Sequence, residues 1–137
     1  MAKVALISCV SKKLSKPAKA GELYVSDLFK KNLAYAKLLA PNAIYILSAK
    51  HGLLGLDEEI EPYEQTLNTM KDAQVRAWAE SVLVQMQGKV GAEDEVIFLV
   101  GEKYRKYLMP HFKNAAVPLQ GLGIGRQLAF LKHALHK

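Results

Sequence analysis

Ser48, Lys50 and His51 follow the unbroken apolar run of residues 44–47, with Gly52 next, so a hydroxyl, an ammonium and an imidazole stand together where a buried segment reaches the surface. His51 titrates near neutral pH and can move a proton or donate to the edge of a nucleobase. Downstream, Asp57 could activate water or stabilise a developing cation, and Tyr63 offers a flat ring on which a base could stack. Lys50, His51 and Asp57 are therefore the candidate catalytic groups. The same residues also have a structural reading, in which Asp57 and Tyr63 tie down a loop and His51 caps a turn.

A second group, Ser8, Cys9, Ser11, Lys12 and Lys13, follows another apolar run and supplies hydroxyl and ammonium donors suited to phosphate or base. Cys9 has no evident partner base and reads as a small apolar residue before it reads as a nucleophile. Gly121, Gly123 and Gly125 alternate ahead of a helical pattern, with Arg126 next, so bare N–H groups and a positive helix end could meet an anion. Their spacing is that of neither a dinucleotide fingerprint nor a P-loop. Gly101 and Tyr104 follow a third apolar run, and Tyr24 and Ser26 open a helical stretch in which Ser26 is a natural cap. With Ser48 and Tyr63, these residues form the expected substrate- or phosphate-binding set.

The elements that must position these groups are legible in the periodicity. Residues 4–7, 44–47 and 96–100 are apolar without polar alternation, the pattern of parallel strands covered on both faces. Residues 115–119 read as a candidate fourth strand, which Pro118 confines to an edge or a strand end. Val25, Leu28, Phe29, Leu33 and Ala36 form one helical stripe; Val75, Trp78, Ala79, Val82, Leu83 and Met86 form another, with Thr69 as its cap and Gly88 past its end. A last helix follows Gly125, with Leu128, Leu131 and Leu135 inward. Residues 49–68 read as a long loop, and loops of that length usually carry function.

The order β-α-β-α-β-α-β-α predicts a single α/β domain over residues 1–137, three-layered α/β/α, with a mostly parallel four-stranded sheet. In such a sheet the segments after the strands emerge on one edge, where ligands bind. The four segments above should therefore meet around one pocket.

With 137 residues, 50% of them apolar and 23% charged, the chain has the composition of a globular domain. Its single cysteine allows neither an internal disulfide nor a multi-cysteine zinc site, so no metal and no cofactor are expected, and a reducing cytoplasm suits it. The first apolar run is shorter than a secretory h-region, and no stretch approaches the roughly 20 apolar residues of a membrane helix. The net charge of +6 is unevenly spread. Residues 1–50 hold nine lysines against Glu22 and Asp27, residues 51–102 hold eleven acids against Lys71, Arg76 and Lys89, and residues 103–137 hold seven basic residues and no acid. If the fold joins the two basic blocks, their field attracts a polyanion.

Ser8-Cys9, Lys12-Lys13, Leu23-Tyr24-Val25-Ser26 with Leu28-Phe29, residues 47–54, Pro62-Tyr63, Trp78 and residues 121–125 together resemble a family of small phage and bacterial domains of unknown function. The segment from Leu47 through Asp57, Ile60, Pro62 and Tyr63 is also similar to the corresponding stretch of YaaA-type peroxide-stress proteins, which bind DNA; their helix-hairpin-helix-like element has no counterpart in this sequence, so DNA binding through it is not implied. More distantly, the Ser-Cys and Lys motif resembles a domain of archaeosine synthases and, beyond it, the uracil-DNA-glycosylase architecture, which implies a nucleobase pocket. The expectation is a protein acting on nucleic acid or a nucleotide, by cleavage or exchange of an N-glycosidic bond or by base modification. The alternative is a binding module of a phage or stress response without chemistry, favoured by the missing glycosylase water-activating motif.

Overall fold

Apolar runs with no polar alternation have no face to turn to water, and here they occupy the middle of a sheet. The computed structural model describes residues 2–8, 17–23, 27–61, 63 and 67–135. In chain order its elements are β1 (Lys3–Ser8), β2 (Ala18–Lys19), α1 (Ala20–Leu23), α2 (Asp27–Leu38), β3 (Ala43–Ser48), β4 (Gly52–Gly55), β5 (Glu59–Ile60), α3 (Asp72–Met86), β6 (Glu95–Leu99), α4 (Glu102–Arg105), β7 (Asn114–Ala116) and α5 (Ile124–Leu135). Short 3-10 turns occupy Leu67–Thr69 and Met109–His111.

The main sheet has the order β4-β3-β1-β6-β7. β1 is central, in register Ser8↔Leu47 with β3 and Ile7↔Leu99 with β6, both parallel. Val4, Ala5, Leu6 and Ile7 are all buried, as a strand covered on both faces requires. β7 pairs parallel with β6 and stops at Ala116, ahead of Pro118, so the proline never has to donate to a ladder. At the opposite end of β1, Asn42 holds the start of the sheet, its N–H donating to Lys3 O at 2.7 Å and its Oδ1 accepting from Lys3 N at 2.8 Å.

The sheet has five strands where the periodicity predicts four, and the fifth comes from the stretch expected to be loop. β4 pairs antiparallel with β3 from Ser48↔Gly52 to Tyr45↔Gly55. Gly52 adopts φ +72°, the left-handed conformation that lets the chain reverse within three residues. Residues 59–60 then pair with residues 18–19 as a separate two-stranded ribbon, Ala18↔Ile60 and Lys19↔Glu59. Residues 49–61 are thus a strap over the sheet edge, and what hid it is its brevity: β4 and β5 are too short to show a period; residues 62 and 64–66 of the expected loop lie outside the described residues.

α3 buries Val75, Trp78, Ala79, Val82 and Met86, the stripe its sequence predicts. It begins at Asp72 instead of after Thr69, because Gln74 Oε1 reaches back to accept the Lys71 N–H at 3.0 Å and satisfies that donor, leaving Thr69 in the 3-10 turn. Gly88, at φ +80°, lets the chain leave the helix. α2 packs on β1 and α5, and α3 packs on β4 and α4. Among the described residues, no helix is long and apolar enough to cross a membrane.

Candidate functional site

Ser48 ends an apolar strand inside the protein, so both of its polar groups need partners there. Its hydroxyl donates to the Tyr63 phenol oxygen at 2.7 Å and accepts the His51 N–H at 3.1 Å, which closes the turn into β4. Its carbonyl accepts the Trp78 indole N–H at 2.9 Å. Trp78 in turn meets Tyr104 edge-on, ring centroids 5.6 Å apart, and the Tyr104 hydroxyl accepts a long 3.5 Å bond from Leu67 N–H. Three segments distant in the chain, at Ser48, Tyr63 and Trp78, are joined through one serine, and Trp78 links them to Tyr104.

This arrangement bears on the stacking role expected of Tyr63: its ring is 8% exposed and offers no open face to a base, and Tyr104, expected only in the binding set, is 5% exposed. An aromatic whose hydroxyl finds a partner indoors can bury its whole ring, and both do so.

His51 is half-buried and meets Tyr63 edge-on, ring centroids 5.4 Å apart at 86°. Its Nε2 is shielded from solvent and has no hydrogen-bond partner. Burial first, and the neighbouring Lys50 charge second, lower its pKa against an opposing pull from Glu58, so the ring is held neutral near pH 7. Lys50 itself is exposed beside it. The turn that carries both is clamped by Gln85 of α3, whose Oε1 accepts the Leu53 N–H at 2.9 Å and whose Nε2 donates to the His51 carbonyl at 3.1 Å. The side-chain amide thereby fills the place of a peptide group from a neighbouring strand on the outer edge of β4. Sequence reasoning passed over Gln85, which reads as one more polar residue on the exposed side of a helix; only the β3–β4 hairpin brings backbone to it.

Asp57 does not join this group. It is exposed and lies beyond Gly55, which pairs with Tyr45, three residues back along β3 from Ser48 and so roughly 10 Å down the strand. The acid whose charge His51 feels is Glu58.

Ser8 is half-buried at the end of β1, next to Leu47 and hence beside Ser48 at the carboxyl edge. Gly101 is exposed beyond β6 and its carbonyl accepts the Tyr104 N–H at 3.0 Å, starting α4. Gly121, exposed at φ +82°, turns the chain toward α5, and the Gly123 carbonyl accepts the Gln127 N–H at 2.9 Å. Gly125, expected ahead of the helix, is its second residue, so the glycine run straddles the helix start, with Arg126 exposed after it. Cys9, Lys12, Lys13, Tyr24 and Ser26 lie outside the described residues.

The terminal basic blocks do come together. α2, from the first block, packs against α5, from the last, with Tyr35 and Phe130 edge-on at 5.8 Å between their ring centroids. Lys30 and Lys37 of α2 and Arg126, Lys132 and His133 of α5 are exposed. Asp27 is the one acid in the two helices and is paired with Lys31 at 2.6 Å. The acids of the middle block lie on other elements; Asp72 on α3, for example, accepts from the Tyr107 hydroxyl and pairs with Arg76 and Lys106, contacts that hold its carboxyl below the usual range, Tyr107 first. Among the described residues, no group of three or more His, Cys, Asp or Glu side chains is placed to hold a metal ion.

No curated protein and no solved structure matches the chain. A family model described as a family of unknown function (DUF6884) matches residues 4–133, and the chain belongs to that family.

Proposed function

We propose that this member of the DUF6884 family binds nucleic acid through the basic face formed by α2 and α5. The observation that carries the reading is the meeting of the two terminal basic blocks on adjacent helices: Lys30, Lys37, Arg126, Lys132 and His133 are exposed there with one paired acid among them. A field of one sign on one face attracts a polyanion and contacts phosphates without reading sequence. In this reading α2 and α5 form one covering layer of the sheet and α3 and α4 the other, and the protein works in the cytoplasm. The likeness to YaaA-type, archaeosine-synthase and uracil-DNA-glycosylase-like domains belongs to the same proposal.

The test is retention of labelled duplex DNA, single-stranded DNA and RNA by the full chain at several salt concentrations. With about four phosphate contacts, log affinity should fall against log salt with a slope of about −3.6. The Lys30→Glu/Lys132→Glu variant should weaken retention about tenfold or more; wild-type retention in that variant overturns the reading.

One observation favours a second reading, nucleobase-directed chemistry at the carboxyl edge of the sheet. His51 has its pKa lowered, first by burial, and its Nε2 shielded and unpaired, so the ring is in its unprotonated form with one nitrogen uncommitted. Mass analysis of bases released from nucleic acids and nucleosides tests it: release that His51→Gln abolishes supports it, and no turnover over a broad panel removes it.

A further inference from the structure

Single exposed apolar side chains are ordinary on a protein surface, whereas several on one face are not. Among the described residues three large ones are exposed, Leu38, Val84 and Phe130. Val84 stands apart on α3, but Leu38, 59% exposed, and Phe130, 39% exposed, both border the seam where α2 packs on α5. Tyr35 connects them: it meets Phe130 edge-on, and Leu38, three residues further along α2, lies one turn away on the same side. In an edge-on pair one ring gives its rim and the other one face, so in either arrangement Phe130 keeps at least one face clear of Tyr35. This ring is open where those of Tyr63 and Tyr104 are closed in.

Polar and basic groups border the seam. Arg126 and His133 lie four residues before Phe130 and three after it, one turn away in each direction on the same side of α5, and both are exposed. Lys30 and Lys37 stand on the far flank of α2 and Lys132 on the far flank of α5, again exposed. The face is therefore apolar and aromatic along its middle and basic on both sides. A second copy of the chain would set like charge against like. An anionic membrane would receive two apolar side chains only, since Phe29, Ala36 and Leu131 of these helices are turned into the core. Duplex nucleic acid gives its phosphates to the cations, but its bases are stacked on one another and leave the ring bare. A single strand satisfies both parts of the face, with phosphates on the cations and an unpaired base on the ring.

We propose that the α2–α5 face takes single-stranded nucleic acid, with Phe130 as the stacking platform for an unpaired base. The proposal rests on the reading of that face as a nucleic-acid surface and adds the form of nucleic acid it selects. Arg126, one turn from the ring, holds a phosphate of the stacked nucleotide, and Leu38 extends the apolar track by a turn.

The experiment measures, by fluorescence anisotropy, binding of the full chain to a labelled single strand, to the same strand in duplex, and to an abasic strand of equal length. Vesicles of mixed phosphatidylcholine and phosphatidylglycerol form a fourth arm. The single strand should bind about fivefold or more tighter than the abasic strand, which has the phosphates without the bases. Phe130→Leu keeps apolar contact with Tyr35 and removes the aromatic face; it should erase that advantage, leave duplex binding and the melting temperature unchanged, and keep the wild-type salt slope, because no phosphate contact is lost. Phe130→Tyr should retain the advantage. Equal binding of single and abasic strands, an undiminished advantage in Phe130→Leu, an equal loss of duplex and single strand in that variant, or vesicle binding that exceeds strand binding would each overturn the proposal. A chain that holds all three strands equally, and loses them in the Lys30→Glu/Lys132→Glu variant, keeps the basic face and refutes the platform; one that holds none refutes both.

Discussion

A Cβ on Gly52 would lie 2.1 Å from Oε1 of Gln85, closer than any pair of such atoms tolerates. The two residues come from a hairpin turn and from the last turn of α3, and each needs the other. Gly52 gives the positive φ and the space; Gln85 gives the hydrogen bonds that close the edge of β4.

Gly52→Ala should therefore destabilise the fold by about 2–3 kcal/mol, combining left-handed strain with displacement of the Gln85 amide. In a double-mutant cycle with Gln85→Ala the two losses should be less than additive, because removing the amide removes the clash. Denaturant unfolding measures both, and strict additivity would show that the contact does not matter.

Ser48→Ala should cost about 1–3 kcal/mol, since it deletes the donor to Tyr63 and the acceptor of the His51 N–H inside the protein. The Trp78 indole bond goes to the Ser48 carbonyl and should survive. A loss of stability with an unchanged tryptophan emission maximum fits this division; a red-shifted emission does not.

Asn32 is buried on α2 and its Oδ1 has no partner. Asn32→Leu, of the same branched shape, should leave the protein as stable or raise it by about 1–2 kcal/mol, because an unsatisfied amide oxygen is exchanged for an apolar group. A clear loss in thermal unfolding would mean that the oxygen is serving a partner.

His51 makes stability depend on pH with a definite sign. Burial, then Lys50, lowers its pKa below the ordinary 6.5, so between 6.5 and the folded value the unfolded chain binds more protons than the folded one. The stability this group contributes is present above pH 6.5 and is lost as pH falls through that window. His51→Gln should flatten this part of the profile, and titration of the imidazole resonances should place the His51 midpoint on the acid side; a midpoint at or above 6.5 contradicts the burial argument.

The apolar runs and helical stripes are properties of composition and spacing, and they carried the parallel strands, α3 with its buried Trp78, and the α/β class. Local periodicity could do this because a strand covered on both faces and a helix with one dry side must repeat their side chains at fixed intervals. It also showed where the charge lies along the chain. Whether the two basic blocks meet was decided by the packing of α2 on α5, since charges far apart in sequence have no local signature of being neighbours. The same holds at the site. Lys50 and His51 stand at the end of β3 as their position after an apolar run predicts, yet the burial of Tyr63 and Tyr104 was set by partners on other segments, and the place of Asp57 by the hairpin that turns at Gly52. Burial of a ring depends on what its hydroxyl finds across the fold, and Ser48 and Leu67 are found only in three dimensions.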